Sequence, residues 1–216
     1  MNKITAVLLS MLLVASSLSA QKTLRFAQLH KKGKLVAVNR VISIESDELS
    51  DYIKISEATG EGIIWLPIEN STTGSFTLEL RGKDELQKSF VGLAFSGQND
   101  STYEAVYCRP FNFLASDSVR KIHAIQYIAH PEFTWKRLRD ERNAEFENPI
   151  QFPPEPNNWF SMTIQVTEKE VIALINGNVN PALKVKRLRT AQAGKVGIFL
   201  GSGSGGDFRK LVYSTN

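Results

Sequence analysis

The sequence predicts an all-β fold, a two-sheet antiparallel jelly-roll sandwich, and three observations carry that prediction. Apolar runs of strand length, about eleven or twelve of them, recur at turn-marked spacing along the chain. Several alternate strictly: Phe160, Met162, Ile164 and Val166 are apolar while Ser161, Thr163, Gln165 and Thr167 are polar, the period of a half-buried strand. No stretch carries the apolar period of a long helix. A chain of 216 residues fits one such domain, because sandwiches commonly run past ~200 residues undivided. Residues 21–216 therefore read as a single domain, without an internal repeat or a second boundary.

Residues 1–20 read differently. Lys3 supplies a positive start, Ile4 to Val14 is apolar except for Thr5 and Ser10, and small residues follow from Ala15 to Ala20. That is the pattern of a cleaved secretory signal. The apolar run falls well short of the roughly 20 residues that span a bilayer, so no membrane insertion is expected after cleavage near Ala20. One cysteine, Cys108, excludes an internal disulfide and leaves no lipid-bearing cysteine after the leader. A periplasmic or secreted protein, stabilised by its core, is the expectation. The formal charge of +4 falls to +3 with Lys3 removed, and 42% hydrophobic with 22% charged residues is ordinary for a globular chain.

In order, Lys34 to Asn39, Val41 to Ile44 and Tyr52 to Ser56 suit short strands, and Thr59 to Gly62 a turn. Ile63 to Ile68 is apolar throughout, with Pro67 marking a strand end or edge. After the Asn70 to Gly74 turn, Phe76, Leu78 and Leu80 alternate inward. Phe90 to Phe95, Tyr103 to Arg109 and Ile122 to Ile128 are the next three strands. From His130 to Asn158 periodicity is lost and Pro149, Pro153, Pro154 and Pro156 discourage regular structure, with one helical turn at most over Asp140 to Phe146. Aromatic side chains in this connection predict an ordered, packed segment. Strands resume over Trp159 to Thr167 and Val171 to Ile175, ending at the Asn176-Gly177 turn. Leu183 to Leu188, Lys195 to Leu200 and Phe208 to Tyr213 complete the count, with a wide glycine-rich turn over Gly201 to Gly206.

The richest polar chemistry lies between Phe90 and Arg139. Alternation puts Tyr103, Ala105, Tyr107 and Arg109 on one strand face and Glu104, Val106 and Cys108 on the other. Two tyrosines and an arginine suit the floor of a polar groove better than a core. Gln126 joins them if the next strand pairs antiparallel in register, whereas His123 and Tyr127 alternate to the opposite face. Asn112 follows Arg109 closely, and the segment after His130 brings Trp135 and Arg137 over the same groove. Arg109 has two readings: a forked donor for ligand, or a guanidinium pinned to loop carbonyls beside Pro110.

The segments FVGLAF, YEAVYCRPFNF, IHAIQYIAHP, TWKRLR, WFSMTIQV, VIALINGN and GKVGIFLGSGSGGDFRKLVY resemble bacterial concanavalin A-like lectin/glucanase domains of the laminin-G-like kind. They are most similar to the 3-keto-disaccharide hydrolase-type domains, over roughly Gly74 to Tyr213. The resemblance implies a jelly roll that holds carbohydrate on one face, with Tyr103, Tyr107, Arg109, Asn112, Gln126, Trp135 and Arg137 as the ligand-binding candidates. Aromatic faces would cover a sugar ring and planar polar groups its hydroxyls. Fold does not fix activity. A carbohydrate-binding module is the first expectation, a glycoside hydrolase with His130, Glu104 or Glu147 as acid or base the second, and a structural or adhesion module the third. The acidic strand motif of laminarinase-type hydrolases has as its nearest match Glu45-Ser46-Asp47-Glu48, which is polar throughout.

Other chemistries are set aside. Three scattered histidines and one cysteine give no transition-metal spacing, and no cofactor is expected. Asp100 and Asp117 are the acids a calcium site would use, but no closely spaced acidic loop surrounds them. Basic residues cluster at Lys136, Arg137, Arg139 and Arg142 and at Lys184, Lys186, Arg187 and Arg189. In an exported protein these read as solvated surface rather than a nucleic-acid footprint.

Overall fold

A computed structural model describes residues 20–215. The expected leader lies, but for Ala20, outside the described residues. Fifteen strands follow: β1 (Lys22–Arg25), β2 (Val36–Val38), β3 (Ile42–Ser46), β4 (Asp51–Ile55), β5 (Gly62–Trp65), β6 (Gly74–Arg81), β7 (Val91–Asn99), β8 (Thr102–Cys108), β9 (Ile125–His130), β10 (Glu147–Asn148), β11 (Phe160–Val166), β12 (Glu170–Ile175), β13 (Leu183–Lys186), β14 (Lys195–Leu200) and β15 (Gly206–Thr215). Three short α-helices are interspersed, α1 (Phe26–Lys31), α2 (Ser118–Ile122) and α3 (Trp135–Glu141), with a 3-10 turn over Pro110–Asn112. Among the described residues no helix is long and apolar enough to cross a membrane.

The strands form two sheets, antiparallel throughout. One runs β13-β12-β11-β6-β15-β4-β3, with β1 beside β15; the other runs β10-β9-β8-β7-β14-β5-β2. This is the all-β sandwich the alternation predicts. Phe76, Leu78 and Leu80 of β6 and Phe160, Met162, Ile164 and Val166 of β11 are buried. They face the other sheet, where Cys108 Sγ lies 3.8 Å from Met162 Sδ. The β15 register shifts between Phe208 and Lys210, which keeps both Phe208 and Leu211 in the core across the irregularity.

Several boundaries differ from expectation, each for a local reason. α1 and β1 carry too few apolar residues to show a period; α1 forms because Phe26 and Ala27 bury against the sheet bearing β4 and β15. The strand expected from Ile122 begins only at Ile125. Asp117 caps a preceding helix, its carboxylate accepting from Val119 N (2.7 Å) and Arg120 N (3.0 Å). In the connection after His130, the helix starts at Trp135 rather than Asp140, because the Thr134 hydroxyl accepts from Arg137 N (3.2 Å). The same connection also supplies β10, which pairs with β9.

Candidate functional site

A row of residues crosses the outer face of the β10-to-β2 sheet. The register sets Glu147 opposite Gln126, Gln126 opposite Tyr107, Tyr107 opposite Gly92 and Gly92 opposite Phe199. Glycine at the fourth place is required: a Cβ there would meet Val106 O at 2.1 Å and Tyr107 Cα at 2.6 Å. With no side chain between them, the Tyr107 and Phe199 rings approach to 5.2 Å. Above this row opens a cavity of about 590 Å³. Phe90, Phe199 and Tyr107 give it an aromatic floor, and Gly201, Ser202, Arg120, His123, Trp135 and Arg139 also line it.

Tyr107 OH donates to Gln126 Oε1 (2.8 Å), and Arg109 Nη2 donates to the Tyr107 hydroxyl (2.8 Å) and to Gln126 Oε1. Arg109 Nη1 donates to His123 O (2.9 Å), as does Asn112 Nδ2 (3.3 Å). Arg109 is therefore pinned to a loop carbonyl, the second of its two readings, while its guanidinium lies over Tyr107 (4.9 Å) and still borders the cavity. Burial pushes the Tyr107 phenol up to about 12, with Arg109 opposing. It remains a neutral donor at physiological pH. Gln126 is fully buried and its Nε2 has no hydrogen-bond partner among the described residues.

Glu147 is buried at the edge of the row. Arg139 grips it with Nε (3.1 Å) and Nη2 (2.9 Å), Arg109 Nη1 stands 3.6 Å away, and His123 Nδ1 approaches to 2.8 Å, off the direction of a regular hydrogen bond. Burial lowers the His123 pKa; Glu147 opposes this, and Arg139 and Arg109 add to it. His123 belongs to this site, contrary to the strand alternation, because it caps α2 and precedes β9 instead of lying within it.

The other expected residues divide. Trp135 is 44% exposed at the cavity, with the Arg139 guanidinium 5.2 Å over its ring. Arg137 does not join it. Trp135 and Arg139 are four apart on α3 and share a face, whereas Arg137 turns to Glu141 (Nε to Oε2 3.0 Å). Tyr103 lies under the outer face, its hydroxyl donating to Glu61 and its ring stacked 5.2 Å from His130. His130 Nε2 faces Glu61 Oε1 at 3.5 Å. Glu104 points between the sheets, as its alternation requires, where Arg187 Nη2 (2.7 Å) and Nε (3.0 Å) and the Tyr127 hydroxyl donate to it. That position holds it away from the cavity.

Three contributors escaped the sequence reading. Arg40 is buried and donates to Gly60 O (2.9 Å), Gly201 O (2.8 Å) and Ser204 O (3.2 Å), fixing the glycine turn beside the cavity. Arg120 donates from Nε to Asn112 Oδ1 (3.1 Å) and from Nη2 to Phe111 O. Arg139 read as one member of a basic run. The cap motif Asp117-x-x-Arg120 and the four-residue step from Trp135 to Arg139 were the available signals.

The two basic clusters are placed differently, with Lys184 and Lys186 exposed on β13. Lys136, Arg137, Arg139 and Arg142 pair with Asp140, Glu141, Glu147 and Glu145, and Arg187 is interior. Asp100 accepts from Trp65 Nε1 (2.7 Å) while Asp117 caps α2, and among the described residues no group of three His, Cys, Asp or Glu is placed to hold a metal.

No family model and no curated protein matches the chain. Solved structures do. It is similar to the carbohydrate-binding module CBM66 from Bacillus subtilis, at 10% identity and a TM-score of 0.51, over 84% of this chain and 92% of that one. It is similar to the Ca2+-bound exoplasmic/lumenal domain of VIP36, at 11% identity and 0.56, over 85% and 84%. Domain 4 of AbnA, a GH43 extracellular arabinanase from Geobacillus stearothermophilus, in complex with arabinotriose, gives 11% and 0.51, over 84% and 82%. The chain has the two-sheet antiparallel jelly-roll fold that these structures share.

Proposed function

We propose that the chain is an exported carbohydrate-binding domain whose ligand occupies the cavity over the β10-to-β2 sheet. The observation that carries the reading is the cavity's make-up: an exposed Trp135 at its edge, an aromatic floor, and arginine N–H donors on its wall. Sugar recognition calls for that mixture of flat apolar faces and forked donors. Its supports among similar folds are a module named for carbohydrate binding, a Ca2+/Man-bound form of VIP36, and an arabinotriose complex. A glycan array with the wild type and Trp135→Ala tests it. Binding weakened by about 1 kcal/mol in the variant, with an unchanged melting temperature, is expected; absence of binding to every glycan overturns it. The export component rests on residues 1–20 and is tested by N-terminal sequencing from the native host. A mature start near Gln21 is expected, and an intact Met1 in a cytosolic fraction overturns it.

Hydrolysis of a glycoside is a second reading with one observation in its favour, the neutral His123 imidazole held beside Glu147 at the cavity wall. Turnover on a panel of chromogenic and 3-keto glycosides, lost in His123→Ala, would replace the binding reading. Glu147 itself accepts one hydrogen bond from Arg139 on each carboxylate oxygen.

A further inference from the structure

Cations outnumber anions around the cavity. Arg109, Arg120 and Arg139 line it, and Arg40 stands directly behind Gly201, which also lines it. Three carboxylates answer these four guanidiniums. Asp117 stands within electrostatic reach of Arg120 while capping α2. Glu147 is occupied by Arg139 and Arg109. Glu61 accepts from Tyr103 and faces His130. Arg40 and Arg120 donate hydrogen bonds to neutral acceptors alone: backbone carbonyls for Arg40, and the Phe111 carbonyl and Asn112 amide for Arg120. Burial depresses the Arg40 pKa, which Glu61 opposes. Positive charge held in a partly desolvated wall and answered by fewer carboxylates than guanidiniums costs free energy that an anionic ligand would recover.

We propose that the cavity selects an acidic saccharide, one whose ring carries a carboxylate, with Arg120 and Arg139 as the residues that read the charge. The inference rests on the carbohydrate-binding reading above and narrows its ligand to uronic acid-containing glycans. Donor geometry favours a carboxylate. Arg139 spends Nε and Nη2 on Glu147, and Arg120 spends Nε and one Nη2 bond within its loop. Nη1 of each has no acceptor among the described residues, and both side chains border the cavity. A guanidinium edge matches the two oxygens of a carboxylate, and the bonds are charge-assisted. Trp135, held beside Arg139, would cover the apolar face of the same ring. A neutral sugar gains the stacking and leaves the excess charge unanswered.

Calorimetry with a panel of uronic-acid oligosaccharides and their methyl-esterified, uncharged counterparts tests this, since each pair shares rings and linkages and differs in charge. The expected result is at least one acid form bound about tenfold more tightly than its ester, an affinity that falls as salt is raised. Arg120→Gln should erase most of that preference, and Arg120→Lys should restore part of it. Esters bound as tightly as the acids, or an acid preference untouched by Arg120→Gln in a folded variant, would overturn the inference and leave carbohydrate binding standing. Binding to no saccharide, acidic or neutral, would overturn both.

Discussion

Glu147 ends the cross-strand row and offsets part of the positive charge of the wall that the row supports. With 2% of its side chain exposed, it is held by Arg139 and Arg109 and approached by His123. Removing a charge from a buried group of this kind leaves its partners uncompensated. Glu147→Gln should therefore lower unfolding free energy by about 3–5 kcal/mol, measured by denaturant titration; a loss below about 1 kcal/mol would mean the cluster behaves like a surface pair. His123 gives the site a pH signature. Burial depresses its pKa from the ordinary 6.5, Glu147 opposes, and Arg139 and Arg109 reinforce. The unfolded chain then takes up the proton first as pH falls. The His123 contribution to stability is fully present above about pH 6.5 and is lost as the pH drops through that value toward the folded pKa. In His123→Gln the melting temperature should fall less steeply between about pH 7 and 5.5 than in the wild type; parallel curves would exclude His123 as the titrating group.

α3 shows how a short helix sets the site. Its seven residues exist because Thr134 caps them and Leu138 buries, and only the helical step of four brings Trp135 and Arg139 to one face. Thr134→Ala should cost about 1 kcal/mol of stability and weaken saccharide binding with it, since both cavity residues share the frayed turn. Calorimetry and thermal melts on one sample check the pair of effects. β7 contributes by absence. Gly92→Ala places a methyl group against the backbone of β8 at Val106 and Tyr107, so a destabilisation of about 1–3 kcal/mol is expected. Near-ultraviolet dichroism should report displacement of Tyr107, and an unperturbed spectrum would mean that the strands separate without moving the ring.

Across the whole molecule, the two sheets are joined by their apolar inner faces and by one interior ion pair. Arg187 follows β13 in one sheet and binds Glu104 of β8 in the other, with further donation to Ser96 Oγ, Thr72 O (3.2 Å) and Thr167 O (3.2 Å). Both side chains are almost fully buried. Arg187→Met should cost about 3–5 kcal/mol by stranding Glu104, and adding Glu104→Gln should recover part of that loss. Additive losses in a double-mutant cycle would show that the two groups are not coupled.

Alternation by itself determined the sheets' inner faces. A period of two leaves one solution for Phe76–Leu80 and Phe160–Val166, and it assigns Glu104 and Arg109 to opposite sides of β8. It also placed Tyr107 and Arg109 together, because side-chain direction along a strand is a local property. What the tertiary structure decided lies off the strands or between them. Gln126 meets Tyr107 only through register, and Glu147 joins the row only because β10 adds to the edge of β9. His123 and Arg139 reach the cavity through helical turns whose caps, Asp117 and Thr134, are single residues in a segment without apolar period. Arg40 and Gly201 are 161 residues apart in the chain. Contacts across such separations are selected by the packing of the whole sandwich, which no local pattern encodes.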